Sequence, residues 1–146
     1  MPPVRFAEVS LAARLTKLVE QVERCYATPD PDAVHDLRVA IRRFSQALRI
    51  FKTLLDAKAV KQMRCALKRV MDAAAIVRDL DVGIERLIEE GLREEDALLE
   101  EMRIERRRGG MALSGWLLLM KSQEPETAWR PSLEARPAKG AGARAS

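Results

Sequence analysis

The chain has few aromatic residues, few helix breakers and a single histidine. Aromatics make up 4% of its 146 residues, and glycine and proline occur 7 times each. Leucine, alanine, arginine and glutamate dominate, in long stretches without a breaker, which favours helices over strands. One histidine excludes a multi-histidine metal site within one chain and leaves a catalytic triad without an obvious third member. No metal or other cofactor is expected. The two cysteines, Cys25 and Cys65, lie far apart without metal-ligand spacing. Each falls on or beside an apolar helix face, so both read as buried free thiols. No run approaches the about 18 apolar residues that a membrane-spanning helix needs. The N-terminal residues lead into an amphipathic segment rather than a signal-peptide core, so the cytoplasm is the expected compartment.

The length suits one compact domain. Its net charge of +4 hides a strong segregation. From His35 to Arg78 there are 11 basic residues, and only Asp36, Asp56 and Asp72 oppose them. From Gly83 to Glu105 nine acidic residues face Arg86, Arg93 and Arg103. Segregation of this kind concentrates positive potential on particular helices and draws anions to them.

Apolar periodicity predicts a first helix from about Arg5 to Tyr26, with Phe6, Val9, Leu15, Leu18, Val19, Val22 and Cys25 at helical spacing. The segment Thr28-Pro29-Asp30-Pro31-Asp32 ends it and starts the next, because Asp30 can cap and Pro31 suits a first turn. A second helix is expected over Pro31–Leu55 and a third over Lys58–Ile76. A fourth should begin between Val77 and Asp81 and reach Arg108, weakened at Gly83 and Gly91. Gly109-Gly110 predicts a kink or break before a short last helix, Met111–Gln123. The expected fold is all-α: an antiparallel four-helix bundle with a short additional C-terminal helix, one domain over residues 1–123. Residues 124–146 read as a Pro/Gly/Ala-rich tail, flexible or ordered only against a partner.

At about 100° per residue the second helix sorts into faces. Val34, Leu37, Ile41, Phe44, Leu48, Phe51 and Leu55 form the core side. His35, Arg38, Arg42, Gln46 and Arg49 share another, a stripe roughly 21 Å long at 1.5 Å per residue, with Ser45 at its edge and Arg43 flanking it. The third helix repeats the pattern: Val60, Met63, Leu67, Val70, Ala74 and Val77 face the core, and Lys61, Arg64 and Lys68 stack on a polar side ahead of Asp72. Like charges at this spacing repel unless acids are interleaved. Mostly they are not, which suggests an external anion as countercharge. Arginine suits phosphate because its planar fork donates two parallel hydrogen bonds. The competing explanations are a plain solvated face and pairing with the acidic fourth helix, and the stripe by itself does not decide between them.

The block Val34-His35-Asp36-Leu37-Arg38-Val39-Ala40-Ile41-Arg42-Arg43-Phe44 resembles the signature of the CHAD family, all-helical domains named for a histidine in this helix. A second block resembles the same family: Leu67-Lys68-Arg69, then Val77-Arg78-Asp79-Leu80-Asp81-Val82. Trp129-Arg130-Pro131 is a weaker third match. The resemblance implies binding of inorganic polyphosphate on a basic surface, no catalysis by the domain itself, and association with polyphosphate granules. It places His35, Arg38, Arg42, Lys68 and Arg78 on the family's motifs; Arg43, Arg49, Lys61 and Arg64 join them from the helical faces. In its motif, His35 is expected to donate to a phosphate oxygen or to orient Arg38. Ser45 departs from the pattern, which commonly continues with another basic residue. Family members are typically about twice this length, built from two similar halves, so the chain resembles a first half. A two-fold homodimer imitating the whole domain is therefore expected, with a fragment of a longer gene as the alternative.

Other residues have plainer readings. Asp79 or Asp81 should cap the fourth helix or pair with Arg78 rather than bind metal. Arg106-Arg107-Arg108 should complement a helix C-terminus. Trp116 with Leu117, Leu118 and Leu119 is apolar all round and should pack into the bundle or a dimer seam. Competing functions are sequence-independent nucleic-acid binding, which would want aromatic platforms beside the cations, and an adaptor role for the acidic helix and tail. A triphosphatase would need an acidic metal cluster that the spacing does not offer.

Overall fold

The computed structural model describes residues 3–135. Four long helices account for most of them: α1 (Pro3–Ala27), α2 (Pro31–Ile50), α3 (Ala57–Glu89) and α4 (Ala97–Ser122). A 3-10 turn, Lys52–Leu54, sits between α2 and α3; a short α5 (Pro125–Ala128) and a second 3-10 turn (Arg130–Leu133) follow α4. The described residues contain no strand. Short connections fold each helix back against its predecessor, and α4 returns to α1, which closes an antiparallel bundle. The core is one cluster to which all four helices contribute, including Leu15, Leu37, Phe44, Leu67, Leu113 and Leu117.

The expected starts of α2 and α3 hold for the expected reasons. Asp30 accepts a hydrogen bond from the Ala33 amide at 2.8 Å, with Pro31 in the first turn. Asp56 does the same for Ala59 at 3.1 Å. Every apolar residue assigned to the core side of the third helix is buried, and in the second only Phe51 is half-exposed. The first helix is looser: Phe6 and Val9 are exposed, and Phe6 meets the edge of Phe51 at a ring separation of 6.1 Å.

Three boundaries differ from the sequence expectation. α2 ends at Ile50, five residues early, because the chain tightens into the 3-10 turn. α3 runs unbroken through Val77–Asp81 to Glu89. Neither Asp79 nor Asp81 caps a helix there; the chain breaks instead at Gly91, whose φ of +100° suits glycine. Asp96 then caps α4, accepting from the Leu98 amide at 2.9 Å. Gly91→Ala should cost about 1–2 kcal/mol, since an L side chain there is strained although nothing lies within 4 Å of its Cβ. Urea unfolding would measure it, and an unchanged midpoint would contradict the assignment.

Gly109-Gly110 does not break α4, which passes through both. Glycine serves close approach here: a Cβ on Gly109 would lie 3.3 Å from Val77 Cγ2. The expected separate helix over Met111–Gln123 is thus the second half of α4. The segment read as a tail is ordered in its first part. Pro125 and Leu133 are buried, and Trp129 stacks on Phe44 with ring centroids 6.1 Å apart and planes 9° off parallel. Residues 136–146 of that segment lie outside the described residues.

Candidate functional site

Packing α2 against α3 leaves a groove of about 900 Å³ between them. Its floor includes the buried Ile41, Val60 and Leu67, so the groove rests on the bundle core. Arg42 and Arg49 come from α2, Lys52 from the 3-10 turn, and Lys61, Arg64 and Lys68 from α3. Ser45 and Gln46 add uncharged hydrogen-bonding groups between the two α2 arginines. Among the described residues only Lys68 of these six cations has a carboxylate within 4.0 Å: Asp72, at 2.8 Å. That hydrogen bond raises the Lys68 pKa, which keeps the ammonium charged. Both partners are exposed, so the pair is weak and can open to another anion.

A second groove, about 660 Å³, lies between α1 and α2. It gathers Arg14, Lys17, His35 and Arg43, with Asp36 as its acid. His35 Nδ1 stands 3.2 Å from Asp36 Oδ1, and Arg24 donates to Asp36 Oδ2 at 2.5 Å. The Arg24 hydrogen bond, and then that of His35, holds the Asp36 carboxyl below its ordinary range.

The stripe read from sequence is therefore divided. The structure brings Arg42, Arg49, Lys61, Arg64 and Lys68 into one groove and puts His35 and Arg43 in the other. Arg38 and Arg78 are half-buried and line neither. His35 neighbours Asp36 instead of orienting Arg38, whose Nε is buried without a hydrogen-bond partner among the described residues. Lys52, which the helical-face reading left out of the stripe, lines the groove from the 3-10 turn.

Asp81 pairs with Arg106 rather than Arg78: Arg106 Nε donates to Asp81 Oδ1 at 2.9 Å. Arg106 Nη2 also donates to the Pro29 carbonyl at 2.6 Å, which ties the α1–α2 connection to α3 and α4. The triplet Arg106-Arg107-Arg108 thus lies in the middle of α4, not at a C-terminus. Both cysteines are free, but only Cys25 is buried, and burial pushes its thiol up to about 11. Cys65 is exposed on the rim of the cationic groove, contrary to its expected burial. Trp116 is half-buried, with the Arg69 guanidinium 5.6 Å from its ring centroid.

Among the described residues no cluster of histidine, cysteine and carboxylate groups is arranged to hold a metal, and no helix is long and apolar enough to cross a membrane. The family model of the CHAD domain matches residues 10–146. No curated protein and no solved structure matches the chain.

Proposed function

The chain belongs to the CHAD domain family, and from that premise we propose that it binds inorganic polyphosphate, without transforming it, in the groove between α2 and α3. The family is known in general for polyphosphate binding and as a binding domain. The observation that carries the reading is the convergence of six cations on one groove, five of them without a carboxylate partner among the described residues. Arg42, Arg49 and Arg64 would each offer a fork to phosphate oxygens, and Lys52, Lys61 and Lys68 would act as point charges. A linear polyanion running along the groove would meet cations on both walls. His35, Arg38, Arg43 and Arg78 lie off this track and would contribute less. Residence at polyphosphate granules is the corresponding cellular expectation.

Sequence-independent nucleic-acid binding is the second reading. It is disfavoured because no aromatic side chain among the described residues lines the groove, and such side chains are the platforms on which single strands stack. Titrations of polyphosphate and of single-stranded DNA with matched charge, over a range of salt, separate the two. Polyphosphate should bind more tightly at every salt concentration, with log affinity falling linearly against log salt. Equal affinities would favour the nucleic-acid reading.

The groove also contains no histidine. An ordinary histidine gains its proton as pH falls through about 6.5, whereas lysine and arginine stay charged throughout. Polyphosphate affinity should therefore change by less than about two-fold between roughly pH 5.5 and 8. Affinity that climbs as the pH falls, and does so only while His35 is present, would move the track to the α1–α2 groove.

A further inference from the structure

The groove between α1 and α2 lies off the polyphosphate track, yet it has the parts of a binding site. Its α1 wall comes from one face of the helix, where Arg14, Lys17 and Gln21 follow at intervals of three and four residues. Arg43 stands on the α2 wall, and Ala13, Val39 and the buried Ala40 supply apolar lining. Among the described residues neither Arg14 nor Arg43 has a carboxylate within 4.0 Å. Lys17 meets Glu20 at 3.9 Å, but both side chains are exposed and such a pair opens readily. Gln21 is the one buried polar residue among those described, only 7% exposed. Its Oε1 accepts from Arg24 at 3.3 Å, while its Nε2 donates to no group among the described residues. That nitrogen is not sealed off, because Arg38 Nε is the one fully buried side-chain nitrogen or oxygen left without a partner there. Gln21 lines the groove, so whatever fills the groove has to supply the acceptor that its amide lacks.

The lining charges set the size of the ligand. Three lysines and arginines and one acid, Asp36, line this groove, against six and one in the groove between α2 and α3. Asp36 stands at one end of the α2 wall, with its two oxygens engaged by Arg24 and His35. A long polyanion running the length of the wall would pass this carboxylate with few cations to compensate. A short anion can sit among Arg14, Lys17 and Arg43 and leave Asp36 to its partners. The apolar lining and the Gln21 amide then suit a ligand that carries more than charge. We propose that the α1–α2 groove is a second binding site, for a short phosphate ester. Arg14, Lys17 and Arg43 hold its phosphate or diphosphate group, Gln21 Nε2 donates to one of its oxygens, and its uncharged body lies on Ala13, Val39 and Ala40. The inference is independent of the polyphosphate reading, since the two grooves share only α2, and either could fail without the other.

Calorimetric titration of the whole chain at low salt, with adenosine diphosphate and inorganic pyrophosphate as probes, tests it. Adenosine diphosphate should bind one to one with a dissociation constant below about 1 mM, and at least about three-fold more tightly than pyrophosphate, which lacks the uncharged body. Arg14→Glu with Lys17→Glu should weaken adenosine diphosphate at least about 10-fold and leave polyphosphate within a few-fold of the parent. Arg42→Glu with Arg64→Glu should do the reverse. Gln21→Met, with its helical circular dichroism unchanged, should weaken adenosine diphosphate about three-fold or more. No saturable binding of adenosine diphosphate, or a loss caused by the Arg42/Arg64 variant and not by the Arg14/Lys17 variant, would overturn the site. Pyrophosphate binding as tightly as adenosine diphosphate would overturn the ester as its ligand, and an unaffected Gln21→Met would remove the amide from it.

Discussion

Replacing Arg42 and Arg64 together by glutamate is expected to lower polyphosphate affinity by about 100-fold or more, with the fold intact. Each contributes to the same groove a guanidinium without a carboxylate partner among the described residues, one from α2 and one from α3. A hydrogen bond to a charged group contributes about 1.5–3 kcal/mol, so losing two such contacts costs about 3–6 kcal/mol, or roughly two to four orders of magnitude. Reversal also sets two carboxylates against the polyanion. The salt dependence should flatten too, by about one unit of slope for each cation removed.

The fold should survive because both side chains are exposed and neither pairs with a carboxylate among the described residues. Glutamate at position 64 would even stand at helical spacing from Lys61 and Lys68, where opposite charges attract. Arg86→Glu with Arg93→Glu changes the net charge equally at exposed positions outside the groove. It should leave binding within a few-fold of the parent. Equal losses from both double variants would mean that the anion responds to overall charge and not to the groove.

Asp81→Ala is expected to be the most damaging substitution outside the apolar core. The Asp81 side chain is 7% exposed and that of Arg106 18%. Two hydrogen bonds, at 2.9 and 3.3 Å, join them in a fork. Removing the carboxylate strands a largely buried guanidinium with only the Pro29 carbonyl as partner. Breaking a buried pair from one side costs about 3–5 kcal/mol. For a domain of this size that lowers the melting temperature by roughly 10 °C or more. Asp81→Leu combined with Arg106→Met should recover part of the loss, because no buried charge is left alone. Thermal unfolding in which Asp81→Ala melts with the parent would show the pair to be incidental to stability.

The all-helical fold and the core sides of α2 and α3 were legible in the sequence, since burial on a helix follows a 3.6-residue period that needs no knowledge of the partner. Capping by Asp30 and Asp56 was legible for the same reason: the carboxylate acts on an amide three residues ahead. Asp79 and Asp81 carry the same local signal for a helix start, with pairing to Arg78 as its alternative, yet α3 runs through both. Asp81 instead meets Arg106, 25 residues away, and the helix continues past it. Gly109-Gly110 looked like a break and is a contact, because Val77 has to pass close to α4 at that point. Trp129 stood in a segment read as flexible and stacks on Phe44.

The sequence by itself determined that cations are concentrated on two consecutive helices and which side of each helix is apolar, because both properties belong to one helix at a time. Which cations share a groove was decided only in three dimensions. Arg42 and Arg43 are adjacent in the chain, yet they open onto different grooves, because α2 is flanked by α3 on one side and α1 on the other. Lys52, outside the stripe read from sequence, is a further member of the groove and reaches it from the 3-10 turn. A stripe is set by one helix's own geometry, whereas a groove needs a second wall, and tertiary packing supplies it.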